Sequence, residues 1–357
     1  MAELDRRLAA GAGSMSGWVL QDLDLRGHGE QLAGLDPRGA LFLGGRFAPG
    51  DERRLRERGA LVFPAVPGVP FDLYRSHLYS PDELYDGLAG GDYAATTDAR
   101  IYAWTRRHDG LPAQLARTLH DLAVDDALAE LVQGRDLVGV MGGHATARGS
   151  AAYRDAARLG RGLARSGLTV ATGGGPGAME AANLGAHLVA APDDELDAAL
   201  EVLARVPGFE PSVTAWAETA FEVRRRWPDG GTSLGVPTWF YGHEPPNAFA
   251  SHVAKYFANA IREDVLLHVC RAGVVFLPGR GGTVQEVFQD ACENYYANGS
   301  AVAPMVLVGT SYWTEELPVW PLLERLAAGR EMAPFVHLVD DLEEVAGLLG
   351  APGRLHG

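Results

Sequence analysis

Three glycine-rich turns constrain the fold of this chain more than any other feature of its sequence. They are Gly142-Gly143-His144, Gly173-Gly174-Gly175-Pro176-Gly177 and Gly279-Arg280-Gly281-Gly282. Each turn follows a short, uniformly apolar run and precedes a segment with helical periodicity. Because apolar strands without alternation, interleaved with helices, form parallel sheets that are covered on both faces, the sequence predicts an α/β fold with a doubly wound parallel sheet and helices on both faces.

A smaller α/β region precedes this sheet. The apolar runs 39–45 and 59–66 flank a charged stretch, which predicts strand, helix and strand. Residues 80–107 and 111–134 are predicted to be helical. The apolar positions of the second of these helices are Leu115, Leu119, Leu122 and Leu128.

Length and composition set the limits on domains and partners. A chain of 357 residues predicts two domains, which we place at 1–130, with no assigned role, and at 131–357. The net charge of −15 argues against a partner that is a nucleic acid polymer, because binding one requires a basic surface. Two cysteines without CxxC spacing predict neither disulfides nor a cysteine-bound zinc. With no apolar run near the roughly 20 residues that cross a bilayer, we expect a cytoplasmic protein without membrane partners.

The glycine turns predict a site for an anion. Glycine lets the backbone approach a phosphate closely, and the helix that follows offers unpaired N–H groups and the positive end of its dipole. In open α/β sheets, ligands bind at the carboxyl ends of the strands, where all three turns should meet. For a single turn of this kind, a tight strand-to-helix connection is the favoured explanation, whereas three turns at the same edge favour a ligand site. No Gly-Lys-Ser/Thr follows any of them, so a Walker A loop is excluded.

The middle turn also fits a dinucleotide-binding fingerprint. Gly173, Gly175 and Ala178 satisfy GxGxxA, and Asp193 follows at a distance suited to a ribose contact. In that class of protein, however, the fingerprint follows the first strand, whereas here it follows the second. A dinucleotide-dependent oxidoreductase is therefore kept as an alternative.

Glu286 has two interpretations. Thr283 and Glu286 have the spacing of a capping box, which would only satisfy backbone donors at the start of a helix. Alternatively, Glu286 and Asp290 lie off the buried face of this helix, so the carboxylate of Glu286 faces the ligand cleft. The apolar positions that predict the buried face are Val284, Val287, Phe288, Ala291, Cys292 and Tyr295.

An arginine is predicted to face the same cleft. The segment 251–264 is predicted to be one helix. Its predicted buried residues are Val253, Phe257, Ala260 and Ile261. Its predicted polar face consists of His252, Lys255, Asn259 and Arg262.

These motifs resemble those of a known family. The sequence PGRGGTVQE resembles the PGGxGTxxE signature of the Lonely Guy (LOG) proteins, which are nucleoside 5′-monophosphate phosphoribohydrolases, and GGGPGAMEAANLGA resembles their second glycine-rich motif. Together with GGH and EPPN at Glu244–Asn247, the pattern is most similar to the larger bacterial nucleotide 5′-monophosphate nucleosidases. The resemblance covers Arg135 to Gly350 and implies a Rossmann-like fold. Arg280 replaces a glycine of the signature, and Glu263 stands where the family's catalytic arginine is expected, beside Arg262.

The resemblance implies hydrolysis of the N-glycosidic bond of a nucleoside 5′-monophosphate, without metal or redox cofactor. Glu286 would hold the ribose and a water, and Arg262 would position the phosphate or the departing base. The substrate-binding residues would be Gly142, Gly143, His144, Gly174, Gly175, Gly177, Met179, Glu180, Gly279, Arg280, Gly281, Gly282 and Thr283. We expect a homodimer or a higher homo-oligomer. A nucleotide sensor that binds but does not hydrolyse is a further alternative.

Overall fold

The computed structural model describes residues 1–240 and 244–350. The parts of the predicted second domain at 241–243 and 351–357 lie outside the described residues. Among the described residues, no helix is both long enough and apolar enough to cross a membrane.

The chain divides into two compact units. The first consists of Met1–His77 and Arg106–Ala127, and the second consists of Leu78–Thr105 and the chain from Leu128 onward. The predicted first domain, 1–130, includes the stretch Leu78–Thr105, whereas in the structure this stretch belongs to the second unit.

The first unit contains a three-stranded parallel sheet in the order β1-β2-β3. The strands are β1 (Val19–Gln21), β2 (Leu41–Leu43) and β3 (Leu61–Phe63), and the helices are α1 (Ala2–Ala9), α2 (Gly29–Ala33) and α3 (Asp51–Glu57). This arrangement matches the predicted strand, helix and strand over 39–66. The core of the unit includes Leu20, Leu25, Leu32, Phe42 and Leu55.

The helices that follow differ from the prediction. Residues 80–107 form α4 (Pro81–Leu84), a 3-10 turn and α5 (Thr97–Thr105), because Gly87 and Gly90 have positive φ values that interrupt a helix. In α6 (Leu111–Val132), Leu115 and Leu122 are exposed. The buried face of α6 consists mainly of smaller side chains, including Ala116, Ala123 and Val124.

The second unit is built on a seven-stranded parallel sheet in the order β10-β9-β8-β4-β5-β6-β7. Its strands are β4 (Leu137–Met141), β5 (Thr169–Thr172), β6 (Ser233–Gly235), β7 (His252–Val253), β8 (Gly273–Phe276), β9 (Met305–Val308) and β10 (Val336–Val339). After β4, the strands β5, β6 and β7 are added in turn on one side of it. The next strand, β8, pairs with the other side of β4, and β9 and β10 follow outward, so the strand order reverses between β4 and β8. This topology confirms the predicted doubly wound, Rossmann-like α/β fold.

Helices cover both faces of this sheet. They are α7 (Ala151–Arg165), α8 (Ala178–His187), α9 (Asp193–Ala204), α10 (Val213–Arg226), α11 (Asn259–Val269), α12 (Gly281–Tyr296), α13 (Trp320–Ala327) and α14 (Leu342–Leu348). Helices α7, α8 and α14 share one core with Val138, Val140 and Val275, whereas α11, α12 and α13 pack together as another layer. In α7, the apolar spacing predicts a buried face of Tyr153, Ala156, Ala157, Gly160, Leu163 and Ala164. All are buried except Ala164, which is partly buried.

Helices α7 and α8 lie in close contact because each has a glycine, Gly160 or Gly185, that faces the backbone of the other helix. A Cβ at Gly160 would lie 2.2 Å from the carbonyl oxygen of Ala182, and one at Gly185 would lie 2.0 Å from that of Ala157. Any larger side chain at either position would therefore separate the two helices and loosen this face of the sheet.

The segment 251–264 is not one helix, so that prediction is wrong. Its first residues form β7, which pairs with β6, and α11 begins only at Asn259. Lys255 is buried and its Nζ lies 2.6 Å from Oδ1 of Asp98, which also accepts a hydrogen bond from Trp239 Nε1 at 2.8 Å. Strand pairing and this buried ion pair replace helical periodicity here, and Ile261, predicted to be buried, is exposed.

Candidate functional site

A pocket of about 370 Å³ lies at the carboxyl ends of β4, β5 and β8. It therefore occupies the crevice where the strand order reverses, which is the usual ligand position in doubly wound sheets. Its lining residues are Gly142, Gly143, His144, Ala145, Gly173, Gly175, Met179, Pro237, Thr238, Glu244, Asn259, Arg262, Glu263, Arg280, Gly281, Gly282, Thr283, Gln285 and Glu286.

The turn after β4 is fixed to both neighbouring turns. The amide of Gly143 donates to the carbonyl of Pro278 at 3.1 Å, and its carbonyl accepts from the amide of Ala178 at 3.1 Å. A Cβ at Gly142 would lie 2.9 Å from that of Ala178. The three glycine turns thus interlock through their backbones, which brings Gly142, Gly143 and His144 to the pocket as predicted.

The turn after β5 divides into residues that line the pocket and residues that shape the loop. Gly173, Gly175 and Met179 line it, whereas Gly174 and Gly177 do not. Gly177 has φ of +74°, and a Cβ there would lie 2.4 Å from the carbonyl oxygen of Gly143. Gly174 and Gly177 are therefore required by backbone geometry and close approach.

The turn after β8 leads directly into α12, whose first residues are Gly281, Gly282 and Thr283. Arg280 occupies the position before the helix, and its side chain does not cap this end. The first-turn N–H groups, which have no partners within a helix, therefore border the pocket. Thr283 lies inside the helix and not at its cap, which rules out the capping-box interpretation of Glu286. Gly279 lies outside the lining, and a Cβ there would meet Thr283 Oγ1 at 2.1 Å.

The buried face of α12 is polar, so the predicted apolar face is wrong in part. The buried residues are Thr283, Glu286, Val287, Asp290, Ala291 and Asn294. Cys292, which was predicted to be buried, is exposed. Glu286 and Asp290 lie on the buried face and not beside it, because α12 turns its polar side toward the pocket and α11.

Glu286 and Arg262 form an open ion pair in the pocket. Arg262 Nη1 lies 3.5 Å from Glu286 Oε1, and the two side chains are 13% and 9% exposed. Burial raises the pKa of Glu286 to about 7, against the opposing effect of Arg262, and the carboxylate of Glu263 raises it further. Nε of Arg262 has no hydrogen-bond acceptor among the described residues, and Nη1 has only the long contact to Glu286, so this guanidinium can bind an acceptor on a ligand.

Glu263 also lines the pocket, although it was not among the predicted site residues. Its carboxylate accepts hydrogen bonds from Asn259 Nδ2 at 2.9 Å and from Gln285 Nε2. Arg262 Nη2 lies 3.5 Å from Glu263 Oε1. Glu263 therefore joins α11 to α12 and borders Arg262. Its position in place of the expected arginine was the sequence signal that could have identified it.

A second group that was missed faces His144 across the pocket. Glu244 Oε1 lies 3.4 Å from His144 Nδ1, and both side chains are partly exposed, at 42% and 55%. Glu244 belongs to the EPPN motif, which was noted in the sequence without a role for its glutamate.

Other predicted residues lie at the edge of the pocket or away from it. Glu180 is fully buried and pairs with Arg148, whose Nε donates to Glu180 Oε2 at 2.9 Å, so the structure does not bring Glu180 to the pocket. Arg280 is largely exposed at the rim, with Nη2 3.3 Å from Glu316 Oε1. Asp193, the ribose ligand of the dinucleotide alternative, is exposed and pairs with Arg165 at 3.0 Å. It does not line the pocket, so that alternative loses its acidic residue.

Two further observations bear on the choice of site. Within residues 1–240 and 244–350, no group of three or more His, Cys, Asp or Glu side chains has an arrangement that could hold a metal ion.

A second, wider cavity of about 670 Å³ lies beside α4 and α10, among residues such as Tyr85, Phe221 and Arg225. It lies away from the glycine turns and from the reversal of strand order, so we assign the function to the pocket at the sheet edge.

Residues 135–191 match the model of the SLOG cluster4 family. The SLOG superfamily includes LOG-like proteins, so the match supports a SLOG relationship for this segment. No curated protein matches the chain.

Among solved structures, the chain is similar to a molybdenum cofactor binding protein from Rippkaea orientalis, at 17% identity and a TM-score of 0.36, over 60% of this chain and 96% of that one. It is also similar to the molybdenum cofactor carrier protein from Chlamydomonas reinhardtii, at 21% identity and a TM-score of 0.35, over 60% of this chain and 94% of that one.

Proposed function

We propose that this protein hydrolyses the N-glycosidic bond of nucleoside 5′-monophosphates and releases the free base and ribose 5-phosphate. The observation that carries the proposal is the Arg262–Glu286 pair. A buried carboxyl with a pKa of about 7 lies beside a guanidinium with free donors, one helical turn beyond an uncapped, glycine-rich helix start. Perturbed ionisable groups of this kind concentrate at catalytic sites.

The start of α12 is suited to the 5′-phosphate. The N–H groups of Gly281, Gly282 and Thr283 and the positive end of the helix dipole favour an anion, and Arg280 adds a charge at the rim. Glu286 lies four residues beyond Gly282, about 6 Å along the helix axis. This is the scale of a ribose ring measured from its 5′ oxygen to its anomeric carbon, so a bound phosphate would bring C1′ near the carboxylate.

The chemistry follows from this placement. As the bond from C1′ to the base nitrogen breaks, its electron pair leaves with the base and the ribose acquires oxocarbenium character. The ionised carboxylate of Glu286 stabilises that positive charge and accepts a proton from the water that adds to C1′. Arg262 donates to an acceptor on the ligand and holds Glu286 in position. A pKa near 7 suits a general base at neutral pH.

A nucleotide sensor without hydrolysis is the second candidate, and one observation favours it. Glu263, a buried carboxylate, occupies the position where the resemblance implies a catalytic arginine. A homodimer or higher homo-oligomer, with no nucleic acid polymer as partner, is part of the same proposal.

The test is incubation with a panel of nucleoside 5′-monophosphates, with detection of free base and ribose 5-phosphate. Because the helix start binds only the phosphorylated form, we expect kcat/KM for AMP, or for the preferred nucleotide, to exceed that for its nucleoside by about 100-fold or more. We expect Glu286→Gln to lower turnover by about 100-fold to 1,000-fold. Glu293→Gln, on the same helix but outside the pocket lining, is the matched control and should retain activity.

Three outcomes separate the alternatives. A nucleotide that binds and remains intact would favour the sensor. Equal kcat/KM for nucleotide and nucleoside would contradict the assignment of the phosphate site. Full activity of Glu286→Gln would remove the proposed catalytic base.

A further inference from the structure

In the EPPN motif, Asn247 fixes the backbone, whereas Glu244 has no role in the chemistry proposed so far. Asn247 is buried, and its amide donates to the carbonyl of Gly174 at 2.8 Å. Its Nδ2 donates to the carbonyl of Gly175 at 3.2 Å, and its Oδ1 accepts from the amides of Phe249 and Ala250, both at 3.1 Å. Asn247 therefore fixes the segment that follows Glu244 onto the glycine turn after β5.

This anchor places Glu244 in the pocket. A Cβ on Gly175 would lie 3.3 Å from Glu244 Oε2, so the carboxylate covers the glycine turn. Its other oxygen, Oε1, lies 3.4 Å from Nδ1 of His144. Since the backbone of His144 is held at the end of β4 by the hydrogen bonds of Gly143, the pair joins two independently fixed turns. A carboxylate at Nδ1 orients an imidazole and leaves Nε2 for a second partner.

N-glycosidic hydrolysis needs a proton donor as well as a base, because a purine leaves poorly as an anion. Among the described residues that line the pocket, His144 is the one histidine. A guanidinium group does not act as a proton donor in proteins, and Glu286 is already the proposed proton acceptor. An imidazole is the side chain best suited to donate a proton at neutral pH.

We propose that His144 is the general acid of the reaction and that Glu244 is its positioning residue. This inference rests on the proposed function. As the bond from C1′ to the base breaks, its electron pair moves into the purine, and His144 passes a proton from Nε2 to a ring nitrogen of the base. Water adds to C1′ and its proton goes to Glu286. Both residues then exchange protons with solvent, so the reaction consumes only water and substrate.

The test compares a purine nucleotide with its N7-methylated counterpart, beginning with GMP and 7-methylguanosine 5′-monophosphate. The methylated base is already cationic and leaves without receiving a proton. We expect His144→Gln to lower kcat for GMP by about 100-fold, and kcat for the methylated nucleotide by less than about threefold. Glu244→Gln should show the same contrast at about tenfold, because the imidazole remains but is less well oriented.

The controls distinguish the possible failures. His252→Gln, a histidine outside the pocket lining, should retain activity on both nucleotides. The unfolding free energies of His144→Gln and Glu244→Gln should match that of the wild type, since both side chains are partly exposed. If the wild type hydrolyses no nucleotide of the panel, the proposed function fails and this inference fails with it, whereas hydrolysis of pyrimidine nucleotides alone overturns only this inference. If the wild type is active and His144→Gln loses the same factor on both nucleotides, only the assignment of the general acid is overturned.

Discussion

Two Arg–Glu pairs in the second unit occupy similar positions at the start of a helix but differ in how completely they are hydrogen-bonded. In both, the glutamate lies within the first two turns of a helix that follows a glycine turn, Glu180 on α8 and Glu286 on α12. The Arg148–Glu180 pair is buried, and Arg148 also donates to the carbonyl of Trp216 at 2.9 Å and to Thr219 Oγ1 at 2.8 Å. In the Arg262–Glu286 pair the two side chains are 3.5 Å apart, and within the described part of the chain Nε and Nη1 of Arg262 have no hydrogen-bond acceptor.

This difference indicates that the Arg148–Glu180 pair stabilises the fold and that the Arg262–Glu286 pair belongs to the ligand site. A buried ion pair with complete hydrogen bonding holds its elements in place, and removing one partner leaves an uncompensated charge. An incomplete pair lowers stability and keeps its donors available for a ligand. The resemblance implied ligand contact for both Glu180 and Glu286, whereas the contacts in the structure favour it only for Glu286.

The largest expected effect belongs to the complete pair. Glu180→Gln leaves the guanidinium of Arg148 buried without its counter-charge, so we expect the free energy of unfolding to fall by about 3–5 kcal/mol. Chemical denaturation of the variant measures this change. Glu201→Gln, on the exposed side of α9, is the control and should change stability by less than about 0.5 kcal/mol. A Glu180→Gln protein of unchanged stability that no longer binds nucleotide would instead support the role implied by the resemblance.

For the Arg262–Glu286 pair, we expect removal of the carboxylate to raise the free energy of unfolding and not to lower it. The pKa of Glu286 is raised from its ordinary 4.5 to about 7 by burial, so ionisation of this group costs the folded state stability as pH rises through that interval. Glu286→Gln removes the cost. We expect the variant to be more stable than the wild type by up to about 3 kcal/mol at pH 8, and the difference to vanish below about pH 4.5.

Denaturation curves at several pH values measure this gain. A loss of stability at pH 8 would show that the pair contributes to the fold as Arg148 and Glu180 do. Glu201→Gln, on the exposed side of α9, again serves as the control.

The smallest expected effect distinguishes the two neighbours on α11. Arg262→Ala removes the free donors, so we expect nucleotide binding or turnover to weaken by at least about tenfold, or roughly 1.4 kcal/mol. Glu263→Gln keeps a side chain of the same size between Asn259 and Gln285 and should change either quantity by less than about threefold. Isothermal titration and steady-state kinetics measure the two effects. If Glu263→Gln proves the more harmful substitution, the role assigned to Arg262 belongs to its neighbour.

The sequence by itself determined that the second unit is built on a doubly wound parallel sheet, and it determined the edge at which the pocket forms, but it did not determine β7, which lies in a segment predicted to be helical. Uniformly apolar strands and glycine turns are local signals, and the hydrogen bonds of each helix and turn are made within a few residues. For this reason, the strands that precede the three turns, most of the buried face of α7 and the convergence of the turns at one edge were predictable.

Only the tertiary structure decided which polar groups are buried. Hydrophobic periodicity assumes that buried positions are apolar, and this failed for α12, where Glu286, Asp290 and Asn294 face inward. It failed again at Lys255, whose partner Asp98 lies far away in the chain. The pairings of Arg148 with Glu180 and of His144 with Glu244 likewise join distant segments. Burying a charge is tolerated only beside its partner, and where that partner lies is fixed by the packing of the whole unit and not by local pattern.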